Sequence, residues 1–186
     1  MIETLRDFVA KANELQIEHM VTGSFAMSAY GEIRFTPDID VVLQISEAQA
    51  KAFTKLFASD YYVSEESIKR AVHRRSIFYV INRKYSGKIE CIAMNDSDFA
   101  RSSFSRRYKV IVSDIEFWIT TLEDLVIAKL IGVGHTHSEM QIRDIANLTS
   151  AEYDSDYIAE WVERLDLRNI WNEVEAWKIH RQETMH

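Results

Sequence analysis

Apolar residues recur at helical spacing at the start of the chain, where Ile2, Leu5, Phe8, Val9, Ala12 and Leu15 share one face. That spacing predicts an amphipathic helix over 2–16. The short apolar run 18–22 then reads as a strand, broken by Gly23-Ser24, and 25–30 reads as a helix closed by Gly31. Asp38 to Leu43 is strand-like, since Ile39, Val41, Val42 and Leu43 are apolar and largely β-branched. Residues 47–58 return to helical spacing through Ala48, Ala52, Phe53, Leu56 and Phe57. Two strands, 76–81 and 88–94, flank turn residues and predict a hairpin, and 108–112 with 116–119 predict a second pair around Ser113-Asp114. From Thr121 onward the spacing is helical throughout, in four blocks centred on Leu125, Ile145, Trp161 and Val174, with His135 and His137 in a loop after Gly134. Strand-rich and helical halves are segregated, which favours an α+β fold: a core over 1–119, then a C-terminal helical region over 120–186.

Charge and composition narrow the function. With 22 Lys+Arg against 29 Asp+Glu, the net charge is −7 across 186 residues, which argues against broad non-specific binding to nucleic acid. Local basic clusters at Arg70, His73, Arg74 and Arg75, and at Arg101, Arg106 and Arg107, still allow a steering surface for a polyanion such as tRNA. Cys91 is the single cysteine, so neither an internal disulfide nor a multi-cysteine zinc site is available. The first residues lack the apolar stretch of a signal peptide and no run suits a membrane span, so the expected setting is cytoplasmic.

The chemistry concentrates in two short stretches, Val21-Thr22-Gly23-Ser24 and Arg34-Phe35-Thr36-Pro37-Asp38-Ile39-Asp40-Val41. Gly23 lets the backbone approach a ligand closely, and a helix beginning at Ser24 offers free N–H groups to phosphate. Asp38 and Asp40 are alternate residues of a strand, so both carboxylates point to one side. Carboxylates so placed repel unless a cation lies between them, and a hard divalent ion such as Mg²⁺ suits oxygen donors.

These residues resemble the signature of the DNA polymerase β-like nucleotidyltransferase superfamily, in which a Gly-Gly or Gly-Ser turn precedes an acid-apolar-acid-apolar strand. Here thirteen residues separate Gly23-Ser24 from Asp38-Ile39-Asp40-Val41. The Arg-x-Thr-x-Asp-Ile-Asp form is similar to the AbiEii-like toxin branch with its uncharacterised relatives. Lys88-Ile89-Glu90-Cys91-Ile92 resembles the strand of the third carboxylate. Arg106-Arg107, the Glu123-Asp124-Leu125 to Lys129-Leu130 helix, Gln141-Ile142-Arg143-Asp144-Ile145 and Tyr157-Ile158-Ala159-Glu160-Trp161 resemble later motifs of the branch, so the likeness spans 17–165.

The resemblance implies transfer of a nucleoside monophosphate from an NTP to a hydroxyl acceptor, RNA such as tRNA or a protein, with two Mg²⁺ ions (or Mn²⁺). A toxin–antitoxin setting implies a cognate antitoxin as partner. It assigns Asp38, Asp40 and Glu90 to metal and catalysis, Lys129 to catalysis, and Gly23, Ser24, Arg34, Lys129 and Asp144 to nucleotide binding. Two departures stand out. Glu90 replaces the usual Asp, and either ligates metal or takes the acceptor proton. The helix after Ser24 lacks the usual triphosphate-gripping arginine, whose place Arg34 takes. The alternative is a catalytically inactive nucleotide- or partner-binding module that keeps the fold.

Overall fold

The computed structural model describes residues 1–32, 36–85 and 87–184. These form two compact units: Met1–Ser28 with Ile33–Thr120, and Ala29–Glu32 with Thr121–His186.

In the first unit the described residues build a seven-stranded mixed sheet. Its strands are β1 (Glu18–Thr22), β2 (Asp38–Gln44), β3 (Tyr61–Tyr62), β4 (Ile77–Asn82), β5 (Lys88–Ala93), β6 (Tyr108–Val112) and β7 (Ile115–Ile119), in the spatial order β3-β4-β5-β2-β1-β7-β6. β2 runs parallel to β5 and β1 parallel to β7, while the other pairs are antiparallel. Both expected hairpins form. The second turns through Ser113 and Asp114, whose φ angles of 49° and 62° suit a tight two-residue connection.

One sheet face is closed. Ile39, Val41 and Leu43 of β2, Ile89, Cys91 and Ala93 of β5, and Phe78 and Val80 of β4 are all buried. Helices α1 (Ile2–Glu14) and α3 (Glu47–Phe57) supply the facing aromatic cluster. Phe53 stacks on Phe57 with ring centroids 4.0 Å apart, and Phe8 and Phe78 meet that pair edge-on at 5.4 and 5.7 Å. Such contacts add about 0.5–1.5 kcal/mol each beyond burial. Ser46 and Gln49 form a capping box that starts α3 where the apolar spacing begins.

Three elements go beyond the sequence expectation: β3, α4 (Glu65–Arg74) and α5 (Asp98–Arg106). Each buries too few apolar side chains for periodicity to register. α4 buries Ile68 and Ala71, and α5 buries Ser103 and Phe104. Between β1 and β2, the expected helix over 25–30 is instead a single α-turn, α2 (Gly23–Ala26), followed by a 3₁₀ turn (Met27–Tyr30).

The second unit holds α6 (Leu122–Thr136), α7 (Glu139–Leu148), α8 (Ser155–Arg164) and α9 (Arg168–Thr184). The loop expected around Gly134 is absent, because α6 continues through both glycines to Thr136. A Cβ at Gly132 would lie 2.7 Å from Gln141 Oε1, and one at Gly134 would lie 3.2 Å from Ile170 Cδ1, so the tips of these two side chains lie close over the glycines of α6. His135 therefore sits in the last helical turn and His137 just beyond it, at φ 48°. Thr121 caps α6 by accepting from the Asp124 N–H, and Asp124 is itself buried, accepting from the Thr121 hydroxyl and the Tyr157 hydroxyl at 2.7 Å each.

Lys129 of α6 and Asp144 of α7 form an ion pair at 3.0 Å with side chains 9% and 5% exposed. Losing one partner leaves the other charged and desolvated. Asp144→Ala is therefore expected to cost about 3–5 kcal/mol in a denaturant titration. The Lys129→Met/Asp144→Leu double variant should recover most of that loss. A double variant as unstable as the single would contradict a pairwise origin.

Candidate active site

The sheet's second face carries the acids. Register places Asp40 beside Glu90, and Asp38 beside Lys88, on the adjacent parallel strands β2 and β5. Both strands alternate half-buried and buried positions, with Asp38, Asp40, Lys88 and Glu90 all on the half-buried side. The row continues on β4, where Tyr79 pairs with Glu90 and Ile81 with Lys88. The two-residue period of a strand thus delivers three carboxylates and one ammonium to a single surface.

The carboxylates are not equivalent. Asp38 Oδ2 and Glu90 Oε1 each lie 2.9 Å from Lys88 Nζ, so the two acids converge on one cationic atom. The extra methylene of Glu90 lets it reach back from its register position beside Asp40 to the point Asp38 also reaches. Lys88 Nζ also lies 5.0 Å from the centre of the Tyr79 ring. The hydrogen bonds that the Lys88 ammonium donates to Glu90 first, and to Asp38 second, hold its pKa well above the ordinary lysine range.

Asp40 turns instead toward Gly23. A Cβ at Gly23 would fall 1.8 Å from Asp40 Oδ2, and Gly23 has φ 64°. Only glycine fits there, both for its backbone and for the carboxylate pressed against it. Thr22, opposite Asp40 in register, is 8% exposed and stands at the start of α2. Ser24 is the second helical residue and half-buried, rather than the helix's cap or first residue as expected. The positive φ at Gly23 starts the turn one residue earlier. A single turn has little macrodipole, so phosphate would be held there by individual N–H groups and hydroxyls.

Among the described residues no cluster of three or more His, Cys, Asp or Glu side chains is gathered tightly enough to hold a metal. The donor set nevertheless suits one. Asp38 and Glu90 offer hard oxygens, and the Lys88 ammonium stands in for a cation at the point where they meet. Asp40 is beside Glu90 in register but its carboxylate lies against Gly23, so Asp38 and Glu90 are the two carboxylates that meet at one point.

The other sequence-derived candidates are not on β2 or β5. Lys129 and Asp144 pair with each other in the helical unit. Arg34 lies outside the described residues. The basic clusters are locally tied: Arg75 to Asp96, Arg101 to Asp98, and Arg107 to Glu18 while stacked over Phe104 and Trp118. Cys91 lies on the opposite, buried face, and burial pushes its thiol pKa well up, so it offers no nucleophile. The residue sequence reasoning missed is Lys88. Its i, i+2 alternation with Glu90 is visible in the sequence, but its pairing with Asp38 is set by the register of β2 and β5.

No family model matches the sequence, and no curated protein matches it. Solved structures do match. An antigenic nucleotidyltransferase-like protein from Paracoccidioides brasiliensis superposes with a TM-score of 0.54 at 17% identity, over 93% of this chain and 91% of that one. The fold is that of a nucleotidyltransferase. The lincosamide antibiotic adenylyltransferase LnuA, solved with lincomycin bound, gives a TM-score of 0.55 at 15% identity, over 81% of this chain and 97% of that one. ANT(2")-Ia in complex with adenylyl-2"-tobramycin gives 0.56 at 9% identity, over 91% and 98%. Likeness at these identities establishes the fold, and the reaction is argued from the site. No helix among the described residues is long and apolar enough to cross a membrane.

The Gly23–Asp40 contact makes its own prediction. Gly23→Ala should cost about 2–4 kcal/mol, combining a left-handed backbone penalty with overpacking, read from the denaturation midpoint. In an Asp40→Ala background the cost should fall. An equal cost in both backgrounds would show that the carboxylate does not press on the turn.

Proposed function

We propose that this chain transfers a nucleoside monophosphate from a nucleoside triphosphate to a hydroxyl acceptor, using Mg²⁺ or Mn²⁺ at the acidic face of β2 and β5. The observation that supports this most is the convergence of Asp38 and Glu90 on one cationic atom, 2.9 Å from each, on a nucleotidyltransferase fold. In the reaction the acceptor hydroxyl gives its proton to Glu90 or to solvent as its oxygen bonds to the α-phosphorus, the bond from that phosphorus to the bridging oxygen breaks, and pyrophosphate leaves. A bound divalent ion supplies Lewis acidity at the phosphoryl oxygens. Asp38, Asp40 and Glu90 orient it, and the Gly23 backbone with the Ser24 hydroxyl seats phosphate. On the sequence resemblance alone, Arg34 and Lys129 neutralise triphosphate charge and Asp144 orients Lys129.

The Arg34 to Asp40 motif supports the AbiEii-like branch, with RNA such as tRNA or a protein as acceptor and an antitoxin as partner. Two similar structures carry lincomycin and adenylyl-tobramycin, so hydroxylated small molecules belong in the same acceptor panel. One observation favours a second reading. Lys88 already neutralises Asp38 and Glu90, as suits an inactive module that binds nucleotide or a partner without metal.

Incubation with each α-labelled NTP and Mg²⁺, against total tRNA, cell protein, lincosamide and aminoglycoside, separates the two. Label is expected in one acceptor class. It should disappear on chelation and fall at least about 100-fold in Asp40→Asn. No label in any acceptor, with nucleotide binding equal in wild type and Asp40→Asn, would establish the binding module instead.

A further inference from the structure

A lysine between the two carboxylates proposed as metal ligands has to be reconciled with metal binding. The stem of Lys88 rises from β5 on the same face as its two partners, with its side chain 34% exposed and those of Asp38 and Glu90 25% and 22% exposed. The ammonium is therefore neither a loose surface charge nor a buried structural one. It occupies the point toward which both acids turn, on a partly exposed side chain, with the Tyr79 ring 5.0 Å away. An ammonium 2.9 Å from each oxygen and a Mg²⁺ at its usual distance of about 2.0–2.1 Å cannot share that point.

We propose that Lys88 is the site's resident counter-ion, which a divalent cation must displace and which then transfers to the triphosphate arriving with that cation. The inference rests on the nucleotidyltransferase reading and deepens it. In the resting site, the ammonium relieves the repulsion between Asp38 and Glu90. A metal ion arriving alone has to break both ion pairs and leaves the lysine without an anion. A metal ion arriving with a triphosphate supplies new anionic oxygens within reach of the anchored stem. Metal alone consequently binds weakly, metal and triphosphate strengthen each other, and Lys88 carries much of that coupling. The acidic face then stays electrostatically quiet until the complete substrate is present.

Mn²⁺ binding to the full chain, followed by electron paramagnetic resonance with and without a non-hydrolysable triphosphate analogue, tests this. Lys88→Met should bind Mn²⁺ alone about tenfold more tightly than wild type, the worth of two partly exposed ion pairs. Its further gain on adding the analogue should be correspondingly smaller. Lys88→Gln, which keeps a polar stem, should match Lys88→Met. Lys88→Arg, which keeps the charge, should bind the metal as weakly as wild type. Mn²⁺ alone binding equally or more weakly to Lys88→Met and Lys88→Gln than to wild type overturns the exchange while leaving nucleotidyl transfer standing. No Mn²⁺ uptake by any of the four proteins, with or without the analogue, overturns both.

Discussion

Like charges on neighbouring strands need a cation. Two carboxylates about 5 Å apart repel by roughly 3 kcal/mol at an effective dielectric constant near 20, a sizeable fraction of a domain's net stability. The sheet sets this problem by geometry, because parallel pairing of β2 and β5 puts Asp40 beside Glu90 and Asp38 beside Lys88. It resolves it in the same stroke, since the residue opposite Asp38 is the lysine that bridges Asp38 and Glu90. On the same face Glu90 reaches back to that lysine, Asp40 lies against Gly23, and the Tyr79 ring is 5.0 Å from the ammonium.

The closed face of the sheet makes this possible. Phe8, Phe53, Phe57 and Phe78 interlock in the core, the alternate residues of β2 and β5 are buried, and a one-residue slip of β2 would exchange the acids for Ile39 and Val41. Gly23 makes the matching contribution at the strand's other side, because no side chain larger than hydrogen fits against Asp40. Charge chemistry on one face is thus positioned by apolar packing on the other. In the helical unit the same logic is local, with Lys129 and Asp144 compensating each other in a buried pair.

Much of this was legible in the sequence. The β-branched run after Asp38 and the alternation from Lys88 to Ala93 gave both strands and the shared face of Asp38 and Asp40, because a period of two is visible without tertiary information. Elements that bury few apolar residues were not legible. α4 is mostly charged, and β3 is two residues long. Gly134 looked like a loop because the side chain that packs over it, Ile170, lies far along the chain. Lys88 went unread for a different reason. Pairing Lys88 with Asp38 depends on the register of two strands about fifty residues apart, which sequence spacing does not carry.

The most direct measurement is a crystal structure of the full chain grown with Mn²⁺ and a non-hydrolysable triphosphate analogue, with anomalous scattering locating the metal. An anomalous peak within coordination distance of Asp38 and Glu90, with the Lys88 ammonium moved from between them onto the phosphates, is the expected result. Lys88 still bridging Asp38 and Glu90, with no anomalous density on the acidic face, would contradict a metal-dependent nucleotidyl transfer site there.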